Sequence, residues 1–267
     1  MTYQSSEVLR DIRALIVDMD GVLWRGDASL PGLAEFFDLL RSRSISFRLA
    51  TNNASKTPGQ YVDKLASMGI EVTANYVLTS AVATAQHLAA IAPGASVYVI
   101  GRDGLRQAVL DYGLHLSSGG HADFVAVGWD PELNYSQLCE AALLIQAGAK
   151  FIGCNPDRTL PGERGLLPGN GATLAFLQAS TEVAPLIIGK PERTMFDAAL
   201  KAMEADPAYT AMLGDRLETD IAGGQKAGLR TILVLSGASD EAALAASPVK
   251  PDWVFDSIQE LAHAWGR

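Results

Sequence analysis

The sequence predicts an α/β fold, a parallel sheet covered by helices on both faces, and three observations carry that expectation. Short apolar runs alternate with amphipathic segments along almost the whole chain. The runs are rich in β-branched residues and nearly continuous in apolar character, as strands buried on both faces must be. Several runs end in a polar cluster, where such folds place their ligands. Strict alternation of strand and helix leaves a parallel arrangement as the simplest solution.

The elements follow in order. Apolar runs at Arg13 to Val17, Ile45 to Ala50, Ser96 to Ile100, Phe124 to Val127, Lys150 to Cys154, Ala184 to Ile188, Thr210 to Leu213 and Thr231 to Leu235 read as strands. The clearest helix starts at Thr57 as N-cap with Pro58 in the first position. It presents Val62, Leu65 and Met68 on one face and stops at Gly69. Further helices are expected at Gly104 to Tyr112, Tyr135 to Ala147, Gly171 to Ala179, Thr194 to Glu204 and Glu218 to Ala227.

Composition sets the outer limits. The chain has 267 residues, 48% hydrophobic and 19% charged, which suits one or two ordinary globular domains. Its formal net charge of -9 disfavours nucleic acid polymers and anionic membrane surfaces as partners. Glu7, Arg10, Asp11 and Arg13 interrupt any signal-peptide apolar region, and no apolar stretch approaches the roughly 20 residues of a membrane span. Cys139 and Cys154 read as two free thiols, so a cytoplasmic protein is expected. The four histidines lack metal-ligand spacing, and the glycines near Gly101 do not form a dinucleotide fingerprint.

The strand ends carry the chemistry. The first strand ends in Asp18-Met19-Asp20-Gly21, two carboxylates whose repulsion a bound cation would offset. The next ends in Thr51-Asn52-Asn53, Ala184 to Ile188 ends in Gly189-Lys190-Pro191, and Thr210 to Leu213 ends in Gly214-Asp215, with Asp220 following. Each alone is an ordinary turn, lysine loop or helix N-terminus. Taken as four strand ends of one sheet, they supply a nucleophile, an acid, a hydroxyl, a cation and metal carboxylates.

Read in this order, the residues resemble the haloacid dehalogenase (HAD) superfamily of phosphotransferases. The match is Asp-x-Asp-Gly at 18 to 21, Thr51, Lys190 and Gly-Asp-x-x-x-x-Asp at 214 to 220. About 140 positions separate Thr51 from Lys190, far more than the dozen or so a crossover needs, so on the order of 100 residues remain for a second domain. Within it, Gly128-Trp129-Asp130, Tyr135, Asn155-Pro156-Asp157 and Gly169-Asn170-Gly171-Ala172 are similar to the NagD-type, 4-nitrophenylphosphatase-like branch with a class IIA cap. A longer lead before the first strand and Cys154 before the Asn-Pro-Asp segment are the departures, and neither removes a catalytic group.

The resemblance implies a Rossmann-like HAD core at 1-82 and 182-267 with an inserted α/β cap domain at 83-181. It implies a phosphatase that hydrolyses a small phosphate monoester through an aspartyl-phosphate. Asp18 is then the nucleophile and Asp20 the general acid and base. Mg²⁺ is the expected cofactor, held by the Asp18 carboxylate, the Asp20 carbonyl and the Asp215 carboxylate. Thr51, Lys190 and the backbone N–H groups of Met19, Asn52 and Asn53 are expected to hold the phosphoryl group, with Gly21 giving it room. Asp220 is expected to orient Lys190 or a water at the metal. Asn155, Asp157 and Arg158 are the cap candidates for substrate contact, although Asn155-Pro156-Asp157 also reads as a structural turn. The expected partner is a small phosphorylated metabolite; phosphoglycolate, sugar phosphates, nucleoside monophosphates and pyridoxal phosphate all suit the site. A homodimer, a phosphotransferase or mutase, and a non-catalytic signalling receiver are the alternatives left open.

Overall fold

The structure is a computed structural model, and it describes residues 8–162 and 164–266. The chain forms two compact units. One takes the residues up to Thr51, Val62–Leu78 and Pro191 onward; the other takes Asn52–Tyr61 and Thr79–Lys190. No helix among the described residues is long and apolar enough to cross a membrane.

The first unit is built on a six-stranded sheet in the order Trp253–Phe255, Arg230–Val234, Thr210–Gly214, Ala14–Val17, Ser46–Thr51, Val77–Thr79. From Trp253–Phe255 through Ser46–Thr51 every neighbouring pair is parallel. Leu15, Ile16 and Val17 are at most 1% exposed, as a central strand covered on both faces requires. The register pairs Val17 with Leu213 on one side and with Leu49 on the other. Strand Ala14–Val17 is therefore the switch point of the sheet, with its sequence successor on one flank and a strand from late in the chain on the other.

Helix Leu33–Ser42 packs on this sheet through Leu33, Phe36, Phe37 and Leu40, one stripe at helical spacing. A Cβ at Gly32 would collide with Gln259, at 2.6 Å from its Cβ, so the glycine lets the helix start lie against helix Ile258–Gly266. A two-strand hairpin, Trp24–Arg25 with Ala28–Ser29, precedes it. The helix expected from Thr57 runs over Pro58–Ser67, with a reciprocal cap: the Thr57 hydroxyl accepts from Gln60 N at 3.3 Å, and Gln60 Oε1 accepts from Thr57 N at 2.9 Å.

The second unit holds a five-stranded parallel sheet in the order Leu186–Ile187, Lys150–Gly153, Phe124–Val127, Ser96–Ile100, His115–Leu116. Helices Ser80–Ile91, Asp103–Asp111, Tyr135–Gln146 and Asn170–Thr181 accompany it, with an antiparallel hairpin Thr159–Gly162 and Gly165–Pro168. Asp123 ties two of its strands together by accepting from Ser96 N at 2.7 Å and Ser96 Oγ at 2.9 Å. Those bonds, the backbone one first, hold its carboxyl below the usual range. Their contribution to stability is present above the ordinary carboxylate range and is lost as pH falls through the depressed value.

The run Ala184 to Ile188, read as a member of the same sheet as Asp18, contributes strand Leu186–Ile187 to the other sheet, beside Lys150–Gly153. Chain order explains it: helix Asn170–Thr181 is the crossover after Lys150–Gly153, and strands consecutive in the chain ordinarily lie side by side in one sheet.

Buried Asn170 locks this crossover. Its Nδ2 donates to Val127 O at 3.0 Å and to Asn155 O at 2.8 Å. Val127 O keeps a second donor in Cys154 N at 2.9 Å, whereas Asn155 O depends on the amide. Asn170→Ala is expected to destabilise the unit by about 2 kcal/mol through the stranded carbonyl and lost packing. Urea unfolding checks it, and an unchanged midpoint would contradict this account of Asn170.

Candidate active site

Asp18 follows strand Ala14–Val17 and donates its own N–H to Leu213 O at 2.8 Å. Asp215 follows the adjacent strand Thr210–Gly214, and Asp220 lies one turn further on. All three are buried, and each offers a carboxylate oxygen within 4.8 Å of the others. Three negative charges in so small a buried volume repel strongly. Carboxylate oxygens gathered in this way are the donor set that a hard divalent cation fits. Thr51 ends the strand on the other flank, at the same level of the sheet as Met19, and is also buried.

The surroundings of Asp215 are shaped for a carboxylate. A Cβ at Gly21, which has φ +86°, or at Gly237 would collide with its Oδ2. Ala238 N donates to that same oxygen at 2.7 Å, and Ser239 N to the Asp215 carbonyl at 3.0 Å. Ser236 Oγ reaches back to Gly21 O at 2.8 Å. The segment 236 to 239 is thus part of the site and was not singled out in the sequence. It follows strand Arg230–Val234, so the strand-end rule applied to the fifth strand would have found it.

Asp220 is hydrogen-bonded to the main chain of the turn that carries Asp215. Its Oδ2 accepts from Asp215 N at 3.2 Å and Arg216 N at 3.0 Å, which braces the turn carrying Asp215. The segment expected as a helix over Glu218 to Ala227 opens with a π-helical turn, Leu217–Ile221, and continues as a short α-helix, Ala222–Lys226. The wider turn swings Asp220 back over Gly214, where a Cβ would collide with its side chain.

Asp20 is exposed, in contrast to its buried neighbour. The Trp24 indole donates to Asp20 Oδ1 at 2.7 Å. Between them the chain turns tightly: Met19 O accepts from Leu23 N at 2.8 Å, and Gly21 N donates to Trp24 O at 2.8 Å. Trp24 is a site neighbour that the sequence did not disclose, because an indole four residues after an aspartate carries no motif.

The remaining candidates lie in the second unit. Lys190 is 2% exposed, and its carbonyl accepts from Asn52 Nδ2 at 2.9 Å. The preceding Gly189 donates to Cys154 O at 2.9 Å, and a Cβ on it would stand 2.7 Å from Asn52 Oδ1. Asn53 Oδ1 accepts from Ser55 N at 2.8 Å, an Asx turn. Asn155 is buried with both ends of its amide engaged: Nδ2 donates to Asn52 O at 2.7 Å and Oδ1 accepts from Asp157 N at 3.1 Å. Asp157 accepts from Asn52 Nδ2 at 3.2 Å, and Arg158 is exposed. Burial pushes the Cys154 thiol up to about 12, so it stays protonated and takes no nucleophilic part. The structure therefore brings Asp18, Asp215 and Asp220 together in one unit. It brings Asn52, Asn155, Asp157 and the Lys190 carbonyl together in the other.

Residues 15–115 match the model of the haloacid dehalogenase-like hydrolases, and residues 187–261 match a second, HAD-hydrolase-like model. The chain is 40% identical over 252 residues to the 5'-nucleotidase YutF of Bacillus subtilis, covering 94% of this chain and 98% of the relative. It is 38% identical over 253 residues to an acid sugar phosphatase of Staphylococcus saprophyticus, covering 95% and 98%. The crystal structure of a 4-nitrophenylphosphatase from Thermotoga maritima superposes with a TM-score of 0.93 at 35% identity, over 97% of this chain and 99% of that one.

Gly237→Ala tests the carboxylate cradle, since the new methyl group must displace Asp215. Calorimetric titration with Mg²⁺ is expected to show affinity reduced on the order of 10- to 100-fold with the circular dichroism spectrum retained. Unchanged affinity would contradict the assignment of this cradle.

Proposed function

The chain belongs to the haloacid dehalogenase-like hydrolases and is a phosphatase acting on phosphate monoesters, and we propose that it works through an aspartyl-phosphate formed on Asp18. The observation that carries this reading is the buried cluster of Asp18, Asp215 and Asp220 at the switch point of the sheet, with the carboxylate of Asp20 exposed beside it.

Asp18 attacks phosphorus, the bond from phosphorus to the leaving oxygen breaks, and Asp20 delivers its proton to that oxygen. Water then attacks the phosphorus of the aspartyl-phosphate, Asp20 takes the water's proton, the bond from phosphorus to the Asp18 oxygen breaks, and Asp18 is released as a carboxylate. The Asp18 carboxylate, the Asp20 carbonyl and the Asp215 carboxylate are the groups that would hold Mg²⁺. When bound, the ion supplies positive charge that offsets the repulsion between an anionic nucleophile and an anionic substrate. Asp220 keeps the Asp215 turn in place, as its two backbone bonds support. Thr51, Lys190 and the N–H groups of Met19, Asn52 and Asn53 bind the phosphoryl oxygens, with Gly21 admitting close approach. Nearly all of the rate enhancement must come from such positioning and charge.

The inserted segment 83–181 acts as the cap that selects the leaving group. Asp157 and Arg158 are its candidates for substrate contact. Asn155 positions them, since its amide is spent on Asn52 and Asp157. The relatives named for nucleotides, sugar phosphates and a nitrophenyl ester support a small phosphorylated metabolite as substrate.

Purified protein with Mg²⁺ is expected to release phosphate from 4-nitrophenyl phosphate and from members of a panel of phosphorylated metabolites, and to stop on chelation. Asp18→Asn is expected to lower kcat to below about one-thousandth with the fold retained. Wild-type turnover in that variant would refute the nucleophile.

A further inference from the structure

We propose that Trp24 and Lys64 act as a positioning pair for Asp20, fixing which of its carboxylate oxygens carries the transferred proton. The proposal rests on the reading of Asp20 as general acid and base. An exposed aspartate ordinarily samples several rotamers, and a proton donor that wanders loses most of its advantage. Asp20 is tied instead by the Trp24 indole, whose Nε1 donates to Oδ1 at 2.7 Å. Trp24 is itself 0% exposed and held in the core, so the anchor cannot follow the carboxylate outward. Donation to Oδ1 leaves Oδ2 as the oxygen that holds and releases the proton.

Lys64 completes the arrangement from helix Pro58–Ser67. Its Nζ stands 4.6 Å from the centroid of the Trp24 ring, within cation–π range. The ammonium donates to Gly26 O at 2.6 Å and lies 3.8 Å from Asp27 Oδ1, and its side chain is only 16% exposed. A cation held over the indole face draws electron density toward itself and makes the ring-edge N–H a stronger donor to the carboxylate. The lysine thus acts on Asp20 through the ring and also pins the hairpin turn that carries Trp24.

If Trp24 were only a core residue with its N–H satisfied at the surface, losing that N–H would affect all substrates alike. A positioned acid predicts a split. Proton delivery matters for an alkyl ester, whose alkoxide leaves poorly, and little for 4-nitrophenyl phosphate, whose phenolate leaves without help. The test compares kcat/KM for glycerol phosphate and 4-nitrophenyl phosphate in wild type, Asp20→Asn, Trp24→Phe, Lys64→Met and Lys64→Arg. Trp24→Phe keeps the ring and removes the N–H. It is expected to lower the alkyl ester by about tenfold or more while changing the nitrophenyl ester less than about threefold, a share of the acid's usual contribution. Lys64→Met is expected to give a smaller loss of the same selectivity, which Lys64→Arg restores.

If Asp20→Asn shows the split and Trp24→Phe lowers both esters equally, or neither, the pair is refuted while Asp20 keeps its role. If Asp20→Asn shows no split, the reading of Asp20 fails first, and the proposal with it. Should Trp24→Phe fail to fold, nitrogen-15 NMR of the indoles decides. The Trp24 Nε1–H resonance is expected to move in Asp20→Asn, and an unmoved resonance overturns the pair.

Discussion

Mutual repulsion among Asp18, Asp215 and Asp220 is the constraint on which the first unit depends. Three carboxylates buried within 4.8 Å of one another would separate in a compliant structure. Here they are fixed to the ends of two adjacent parallel strands and the turn that follows, in a sheet whose central strand is at most 1% exposed over Leu15 to Val17. Close-packed apolar strands of this kind do not yield to a local force. The free energy of the core thereby holds together a carboxylate cluster of the kind a small, hard cation suits.

The glycines show how closely the backbone has been drawn around these groups. Gly21 and Gly237 flank the Asp215 carboxylate and Gly214 lies under Asp220, each where a Cβ would collide. In the second unit, Gly169 and Gly171 do the same for the loop 155 to 158: a Cβ on either would collide with the carbonyl of Asp157 or Pro156. Gly169 N donates to Arg158 O at 2.8 Å and Gly171 N to Asp157 O at 2.9 Å. Together with the amides of Asn155 and Asn170, these bonds make the Asn-Pro-Asp segment a rigid platform from which Arg158 projects.

Much of this was legible in the sequence, and the limits of that reading are physical. Asp18, Thr51 and Asp215 stand out because apolar strands broken by polar residues advertise strand ends, and strand ends are where such folds bind ligands. The sheet to which Leu186–Ile187 belongs was not legible, since a short apolar run pairs equally well with any parallel neighbour and only the crossover decides. Ser236 to Ser239 escaped because small residues in a turn carry no motif; they act through the Ala238 amide and the Ser236 hydroxyl. Trp24 escaped because its bond to Asp20 depends on a turn closed by main-chain groups of Met19 and Gly21. The π-helical turn at Leu217–Ile221 has no periodic signature and follows from the demand that Asp220 reach back to the amides of Asp215 and Arg216.

In the mechanism proposed, the phosphoryl group passes through the carboxylate of Asp18 on its way to water, in two in-line displacements. The stereochemical course at phosphorus reads this directly. With a phosphorothioate monoester made chiral by oxygen-18 and hydrolysed in oxygen-17 water, two successive displacements invert the centre twice, so chiral inorganic thiophosphate is predicted to form with net retention. Net inversion would mean that water attacks the substrate in a single step, and would contradict the account.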